Sequence, residues 1–261
     1  MKPKTVVITG GASGIGRATA ELLFGAGVQV GILDANASNI ARTMDKLRLQ
    51  GPEGSAIGVP CDVSDEKDVQ RAFAHIEGRF GPLDGLVANA GIGTGGGLLH
   101  ELDYDTWQRV LAVNLTGVFL SCKYALQSML HYHTRGSIVC TSSPAAFVSM
   151  AAGEVPAYSA TKGGVSALVR TLAIDYASYG VRVNAVVPGA TETPLMWDDV
   201  PLSDRERLRA QVAQEIPLGR LAEPIEPARA VVWLLSDAST YVTGSHLVCD
   251  GGILAKGSIS V

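Results

Sequence analysis

Cysteine is scarce in this 261-residue chain, and Cys61, Cys122, Cys140 and Cys249 stand far apart with no Cys-x-x-Cys. Such spacing argues against a disulfide framework or a zinc site and suits reduced thiols in a cytoplasmic protein. The nearest histidine pair, His131 and His133, is two residues apart. Side chains at that separation face different sides of a helix, so a solvated helix end is expected there and no metal ligand set. Charged residues make up only 18%, and their balance is acidic, with 21 Lys+Arg against 25 Asp+Glu for a net charge of −4. Without a basic block, nucleic acid is not expected as a partner. Long apolar runs are missing as well: a stretch such as residues 230–235 falls far short of the ~20 residues that a membrane span requires. After Lys2 and Lys4 only Thr5-Val6-Val7-Ile8 precedes the glycines, so no secretory signal is expected.

Hydrophobic residues, at 47%, suffice for a sizeable core, and the 30 glycines lack the strict period of a collagen, which together exclude disorder and fibrous structure. Short β-branched runs at residues 5–9, 28–33, 55–60, 83–88, 137–141, 182–187 and 246–249 alternate with helix-length segments. Those segments, at 15–24, 37–49, 66–80, 107–130 and 158–179, carry apolar residues three or four apart. The alternation predicts βαβ units and hence an α/β fold: a Rossmann-type, doubly wound, mostly parallel seven-stranded sheet with helices on both faces, in one domain over residues 1–261. Right-handed crossovers then bring the loops after the strand C-termini to one edge, where ligands bind in such sheets. From Pro188 to Pro217 the pattern is irregular, broken by Pro194 and Pro201 and carrying the helix-like start Ser203-Asp204-Arg205-Glu206-Arg207. Residues 190–217 read as a substrate lid, with a plain surface loop as the alternative.

Gly10-Gly11-Ala12-Ser13-Gly14-Ile15-Gly16 follows the first strand and opens the first helix. Backbone free of side chains is what a pyrophosphate needs to approach a helix N-terminus, whose free N–H groups and dipole favour anions. The second strand ends near an acid, Asp34, at about the 20-residue offset expected for a carboxylate that accepts from the adenosine ribose hydroxyls. The same carboxylate repels a 2′-phosphate. No cation stands at Ser13 or Ala35, and Arg17 lies further into the helix, so NAD is expected over NADP. Capping of the next helix is a second role open to Asp34.

These residues resemble the short-chain dehydrogenase/reductase family. Thr9-Gly10-Gly11-Ala12-Ser13-Gly14-Ile15-Gly16 is similar to its Thr-Gly-x-x-x-Gly-x-Gly signature, Asn89-Ala90-Gly91 to a second motif and Tyr158-Ser159-Ala160-Thr161-Lys162 to its Tyr-x-x-x-Lys. Pro188-Gly189 and Asp250-Gly251-Gly252 match later landmarks, so the resemblance spans nearly the whole chain. It implies that Asp62 and Val63 meet the adenine, with helix capping again the alternative for Asp62. It further implies that Asn89 to Gly91 underlie the dinucleotide, and that Thr191 and Thr193 hold the nicotinamide carboxamide. The glycines between Gly91 and Gly97 read as a mobile rim, not a second phosphate cradle.

Tyr158 and Lys162, four apart on an expected helix, share one face. A phenol with a reference pKa of ~10 is a poor base at neutral pH, but a nearby ammonium and a positive nicotinamide favour the phenolate. Tyr158 then exchanges a proton with the substrate hydroxyl as hydride moves, and Lys162 also bonds the nicotinamide ribose. The family's catalytic serine falls at Ser143, preferred over Ser142. The interval from Ser143 to Tyr158 is longer than the family's common one, which points to a short insertion around residues 152–155. Asn114 resembles the fourth catalytic member, which supports a helix break and a proton relay to the lysine. An Asn within an apolar helix segment is costly unless bonded.

The expected activity is NAD-dependent interconversion of a secondary alcohol with its ketone or lactone, the substrate being a sugar, polyol or cyclic alcohol. Ser143, Ala145, Glu154 and Trp197 are candidate substrate contacts, Trp197 either stacking on a ring or packing the lid. The walls are expected from residues 94–100, 144–155 and 195–197. The alternatives are 3-oxoacyl-thioester reduction, against which Asp34 speaks, and a non-catalytic NAD sensor, against which the full catalytic set speaks. An extended-branch epimerase or dehydratase would need a longer chain and a differently spaced glycine motif. By resemblance a homotetramer or homodimer is expected. The apolar residues Val165, Ala167, Leu168, Leu172 and Ala173 suit either a subunit interface or the chain's own core.

Overall fold

In the computed structural model, which describes residues 4–51, 55–93, 97–149, 155–198 and 200–256, the apolar strand runs resolve into two faces. Along β1 (Thr5–Thr9), Val6 and Ile8 enter one core and Val7 the other. The chain continues through α1 (Gly14–Gly25), β2 (Gln29–Asp34), α2 (Ala37–Arg48), β3 (Ala56–Pro60), α3 (Glu66–Phe80) and β4 (Gly85–Ala88). Next come α4 (Tyr104–Leu111), a π-helical turn (Ala112–Thr116), α5 (Gly117–His131), β5 (Ser137–Thr141), α6 (Pro156–Asp175) and β6 (Arg182–Pro188). The last elements are α7 (Pro194–Trp197), α8 (Leu202–Glu215), α9 (Ile225–Leu235) and β7 (His246–Cys249).

The strands pair in parallel in the order β3-β2-β1-β4-β5-β6-β7. Winding reverses between β1 and β4, which creates the crevice at which doubly wound sheets bind ligands. On one face Phe73 and Ile76 of α3, Leu126 and Met129 of α5 and Val165 and Val169 of α6 pack on Val7, Leu86, Ile138 and Val183. On the other, Leu23 of α1, Ile40 of α2 and Val231 and Leu234 of α9 cover Val6, Ile8, Val87 and Val139. Each such fully buried side chain contributes about 1.5–3 kcal/mol.

The expected single domain and strand set agree with this architecture apart from boundaries. β2 starts one residue later than expected and ends on Asp34, β4 starts at Gly85 and β6 runs on to Pro188. α9 has no counterpart among the expected helices. It is short and holds Pro227, which a first turn tolerates because its missing N–H has no partner there anyway. The segment expected as one helix at 107–130 starts earlier and widens into the π turn at Asn114. By length and composition alone, Tyr104–His131 would suffice to cross a membrane, contrary to the expected absence of any such run. Its apolar side, however, packs on β4 and α3. In α6, Val165 and Ala173 are consumed by the chain's own core and Ala167 is exposed.

Residues 190–217 form α7 and α8 over a small separate core of Trp197, Ile216 and Leu221. No residue of α8 is fully buried. A helix so thinly packed belongs to the low-stability part of a fold.

Candidate active site

The turn out of β1 is shaped by contacts that leave no room for side chains. Gly10 has φ +59°, and a Cβ on it would lie 2.9 Å from Ala90 Cα. A Cβ on Gly16 would meet Gly10 O at 2.2 Å and Asn89 Nδ2 at 2.7 Å. The N-termini of α2, α3 and α4 are capped by Asn36, Asp65 and Asp103, each accepting from a first-turn N–H. At α1, Ser13 makes no side-chain capping bond, and its first turn, which includes Ile15 and Gly16, carries no acid. The N-terminus of α1, which the glycines leave bare, thus has no side-chain acceptor of its own. That combination fits a pyrophosphate.

Asp34 closes β2. Its Oδ2 accepts from Ala12 N at 3.1 Å and its Oδ1 from Asn36 N at 2.9 Å. The capping role open to Asp34 belongs to Asn36, and that open to Asp62 belongs to Asp65, because each helix begins a few residues beyond the acid. Each Asp34 oxygen keeps a lone pair for a ribose hydroxyl. Arg17 leans along α1 to Glu21, 3.7 Å away. Asp62 accepts from the Ser64 N–H and hydroxyl, and the buried Val63 fills the space beside Gly117. Asn89 donates through Nδ2 to Thr9 O and Gly10 O, each at 3.3 Å, and accepts from Thr141 Oγ1 at 3.1 Å. Thr9 Oγ1 accepts from Asn89 N and Ala90 N. Residues 89–91 are therefore fixed across β1 and β5 at the crevice. A Cβ on Gly91 would come to 3.8 Å from Lys162 Nζ, so cofactor-side and chemistry-side residues meet there.

The two candidate serines part at the end of β5. Ser142 is turned into the protein, its Oγ 2.7 Å from Ser166 Oγ and donating to Lys162 O at 3.4 Å. Ser143 Oγ accepts from Ala145 N at 3.2 Å and shares a hydrogen bond with the Tyr158 hydroxyl. Lys162 is nearly fully buried, donates through Nζ to Thr141 O at 2.8 Å and sits 5.5 Å from the centre of the Tyr158 ring. Asn114 is fully buried in the π turn. Its Oδ1 accepts from Ile92 N at 2.8 Å and its Nδ2 donates to Ile92 O at 2.9 Å. The helix break expected at Asn114 is thus present as an extra backbone residue in the turn, and its amide holds Ile92 of the glycine rim through both its oxygen and its nitrogen.

The electrostatics depart from expectation. Burial pushes the Tyr158 phenol above its usual value, against a smaller lowering by Ser143. Lys162 Nζ, 5.5 Å from the ring centre, donates meanwhile to the Thr141 carbonyl. Burial brings Lys162 itself down to about 8, opposed in part by Cys140. A stability prediction follows. The unfolded chain keeps this proton up to ~10.4, so between about 8 and that value the unfolded state binds more protons and stability rises with pH. Between about pH 7.5 and pH 10, wild type is expected to gain about 1–3 kcal/mol relative to Lys162→Met in urea unfolding. Parallel pH profiles for the two proteins would refute the assignment.

Beyond β6, Gly189 lies against the chain end: a Cβ there would reach Asp250 Cα at 2.7 Å. Asp250 in turn accepts from Gly252 N and Leu254 N. Thr191 donates to Gly189 O at 2.9 Å. Thr193 and Pro194 pack on the glycine turn, where a Cβ on Gly14 would come to 3.0 Å from Thr193 Cγ2. The residues expected at pyrophosphate and carboxamide are thus neighbours. Trp197 is 6% exposed, and its Nε1 donates to Glu192 Oε2 at 2.9 Å. Of its two open roles the structure supports packing, since its ring lies in the small core with Ile216 and Leu221. Ala145 is buried beside Ser143. Glu154, with residues 94–96 of the expected wall, lies outside the described residues. Thr141 and Glu192 were not singled out from the sequence. Neither belongs to a spaced motif, and only a strand-end position marks Thr141.

A family model described as enoyl-(acyl carrier protein) reductase matches residues 10–254. A 2,5-dichloro-2,5-cyclohexadiene-1,4-diol dehydrogenase from Sphingobium indicum is 40% identical, over 97% of this chain and 97% of that one. The cis-4-hydroxycyclohexanecarboxylate dehydrogenase of Sinomonas cyclohexanicum is 43% identical, again over 97% of both. Among solved structures, a 3-ketoacyl-(acyl-carrier-protein) reductase from Brucella melitensis complexed with NADH superposes with a TM-score of 0.87 at 30% identity, covering 96% of this chain and 98% of that chain.

Proposed function

The chain belongs to the short-chain dehydrogenase/reductase family and is an enzyme acting on CH–OH groups; from this we propose an NAD-dependent dehydrogenase that oxidises a cyclic secondary alcohol to its ketone through Tyr158. The observation that carries the reading is the convergence of Ser143, Tyr158 and Lys162 beside Gly91, on the same sheet edge as Asp34. The Ser143 hydroxyl holds the substrate oxygen, Tyr158 Oη takes the alcohol proton, and the buried Lys162 ammonium supplies the positive charge that a phenolate needs. NAD, held by Gly10 to Gly16, Asp34, Asp62, Val63, Asn89 to Gly91, Pro188, Gly189, Thr191 and Thr193, supplies the hydride acceptor when bound. Asn114 keeps the 91–93 rim in place through Ile92.

The choice of a cyclic alcohol over a sugar or open-chain polyol rests on the walls. Leu98, Leu99, Phe147, Val148 and Leu195 are exposed apolar side chains in the segments that flank the site. A carbocycle matches such walls better than a ring of hydroxyls, and the relatives' names point the same way. The second reading, 3-oxoacyl-thioester reduction, is favoured by the likeness to the NADH-bound reductase. A homotetramer agrees with the exposed apolar Phe119 of α5 and Ile174 of α6, and a cytoplasmic setting with four free thiols.

The test is initial-rate absorbance at the reduced-nicotinamide band, with NAD+ or NADP+ and a panel of cyclohexanols, sugars, polyols and hydroxyacyl thioesters. Turnover of a cyclohexanol with NAD+ is the expected result. Activity confined to thioesters, or to NADP+, would overturn it.

A further inference from the structure

Glu192 stands between two residues proposed to hold the nicotinamide, yet its side chain does something different from theirs. Its carboxylate accepts from Arg209 Nε at 2.6 Å and Nη2 at 3.2 Å, and from Trp197 Nε1 at 2.9 Å. Trp197 lies on α7 and Arg209 on α8, so one carboxylate gathers both lid helices onto the strip that follows β6. The Arg209 guanidinium also lies 5.1 Å over the Trp197 ring. Arg205 closes the assembly by donating to Trp197 O and Val200 O. Beside it opens a cavity of about 700 Å³ between α8 and the start of α9, lined by Glu192 and Arg209 themselves and by Arg220, Glu226 and Arg229. α8 therefore borders open space on the side that carries Arg209, and it has no fully buried residue to hold it.

We infer that Glu192 is a positioning residue: its paired carboxylate latches α8 against the Thr191–Thr193 strip, and this latch sets how tightly the lid holds substrate and the nicotinamide end of the cofactor. A two-pronged bond from an arginine to a carboxylate is directional and charge-assisted, stronger than the ordinary surface pair. It is still one-quarter to two-fifths exposed on its two sides, so salt weakens it. Glu192 touches no reacting atom, and its loss should not slow the proton transfer at Tyr158. The inference rests on the proposed active site for its kinetic readout but not for its structural one.

The test uses the full-length protein, Glu192→Gln and Arg209→Gln, and their double variant. Gln at 192 still accepts from Trp197 and keeps the volume, and Arg209 is on an open helix, so both variants are expected to fold. Substrate KM and NADH Kd should rise by about tenfold in either single variant and no further in the double, while kcat changes by less than about twofold. Wild-type NADH affinity should fall between low and high NaCl, and the Gln variants should lose that dependence. In the absence of any cofactor, backbone amides of residues 202–215 should exchange hydrogen faster in the variants than in wild type. Failure to bind NADH together with faster exchange would reject the proposed function and keep the latch. Unchanged exchange, or additive effects in the double variant, would overturn the latch itself.

Discussion

Replacing Tyr158 by Phe is expected to cut kcat by about a thousandfold, within the range of positioned acid–base catalysis, while NADH affinity stays within about twofold of wild type. The reasoning begins with what the substitution leaves alone. Phe keeps the ring beside Lys162 and removes only the hydroxyl that meets Ser143. The glycine turn, Asp34 and Asn89 are held by their own bonds to Ala12, Thr9 and Thr141 and do not depend on that hydroxyl. Loss of turnover with retained binding therefore isolates proton transfer. The pH profile gives a second reading. Burial raises Tyr158 in the chain alone, so deprotonation at neutral pH must draw on the charge of Lys162 and of the bound cofactor. Alcohol oxidation by wild type should accordingly gain rate as pH rises. An unchanged kcat in Tyr158→Phe would remove Tyr158 from the chemistry and favour a sensing role.

Asp34→Ala is expected to reverse cofactor choice. Loss of charge-assisted bonds to the ribose hydroxyls should weaken NAD+ by about 10- to 100-fold at ~1.5–3 kcal/mol. Removing a carboxylate from the place of a 2′-phosphate should help NADP+ at the same time, so the preference ratio moves by more than either constant. Asp34 also accepts from Ala12 N and Asn36 N, and the variant will lose some stability at the glycine turn. Asp34→Asn separates the two effects, since it keeps the side chain's shape and an acceptor while removing the charge. An unaltered NAD+ to NADP+ ratio in both variants would show that Asp34 serves the turn alone.

Much of this architecture was readable because parallel strands buried on both faces write themselves as β-branched runs, and the helices between them carry a regular apolar stripe. Asp34 stands out by its offset from the glycines, whereas the spacing of Tyr158 and Lys162 gains meaning only from the family resemblance and the dinucleotide motif that precedes it. The unreadable parts share a different cause: they depend on partners remote in sequence. Neighbouring Ser142 and Ser143 differ only because Ser166 waits for one of them on α6. Glu192 gains its role from Arg209, 17 residues on. Trp197 was ambiguous because an aromatic ring beside a site looks the same in sequence whether it faces a ligand or a neighbouring helix. The depressed Lys162 and raised Tyr158 arise from burial, which no motif encodes.

The strand order also bears on how the chain is made. β1 emerges from the ribosome first, but its neighbour β4 follows only after Gly85, leaving one flank of β1 as an open edge until then. The helix that leans on α1 and shields Val6 and Ile8 is α9, supplied by residues 225–235. A nascent chain interrupted before that point displays an apolar sheet face only partly covered by α1 and α2, and the long loops that must close slow its burial. The crevice that unites the two halves of the site is thus also the seam at which an incomplete chain is most prone to stick to another.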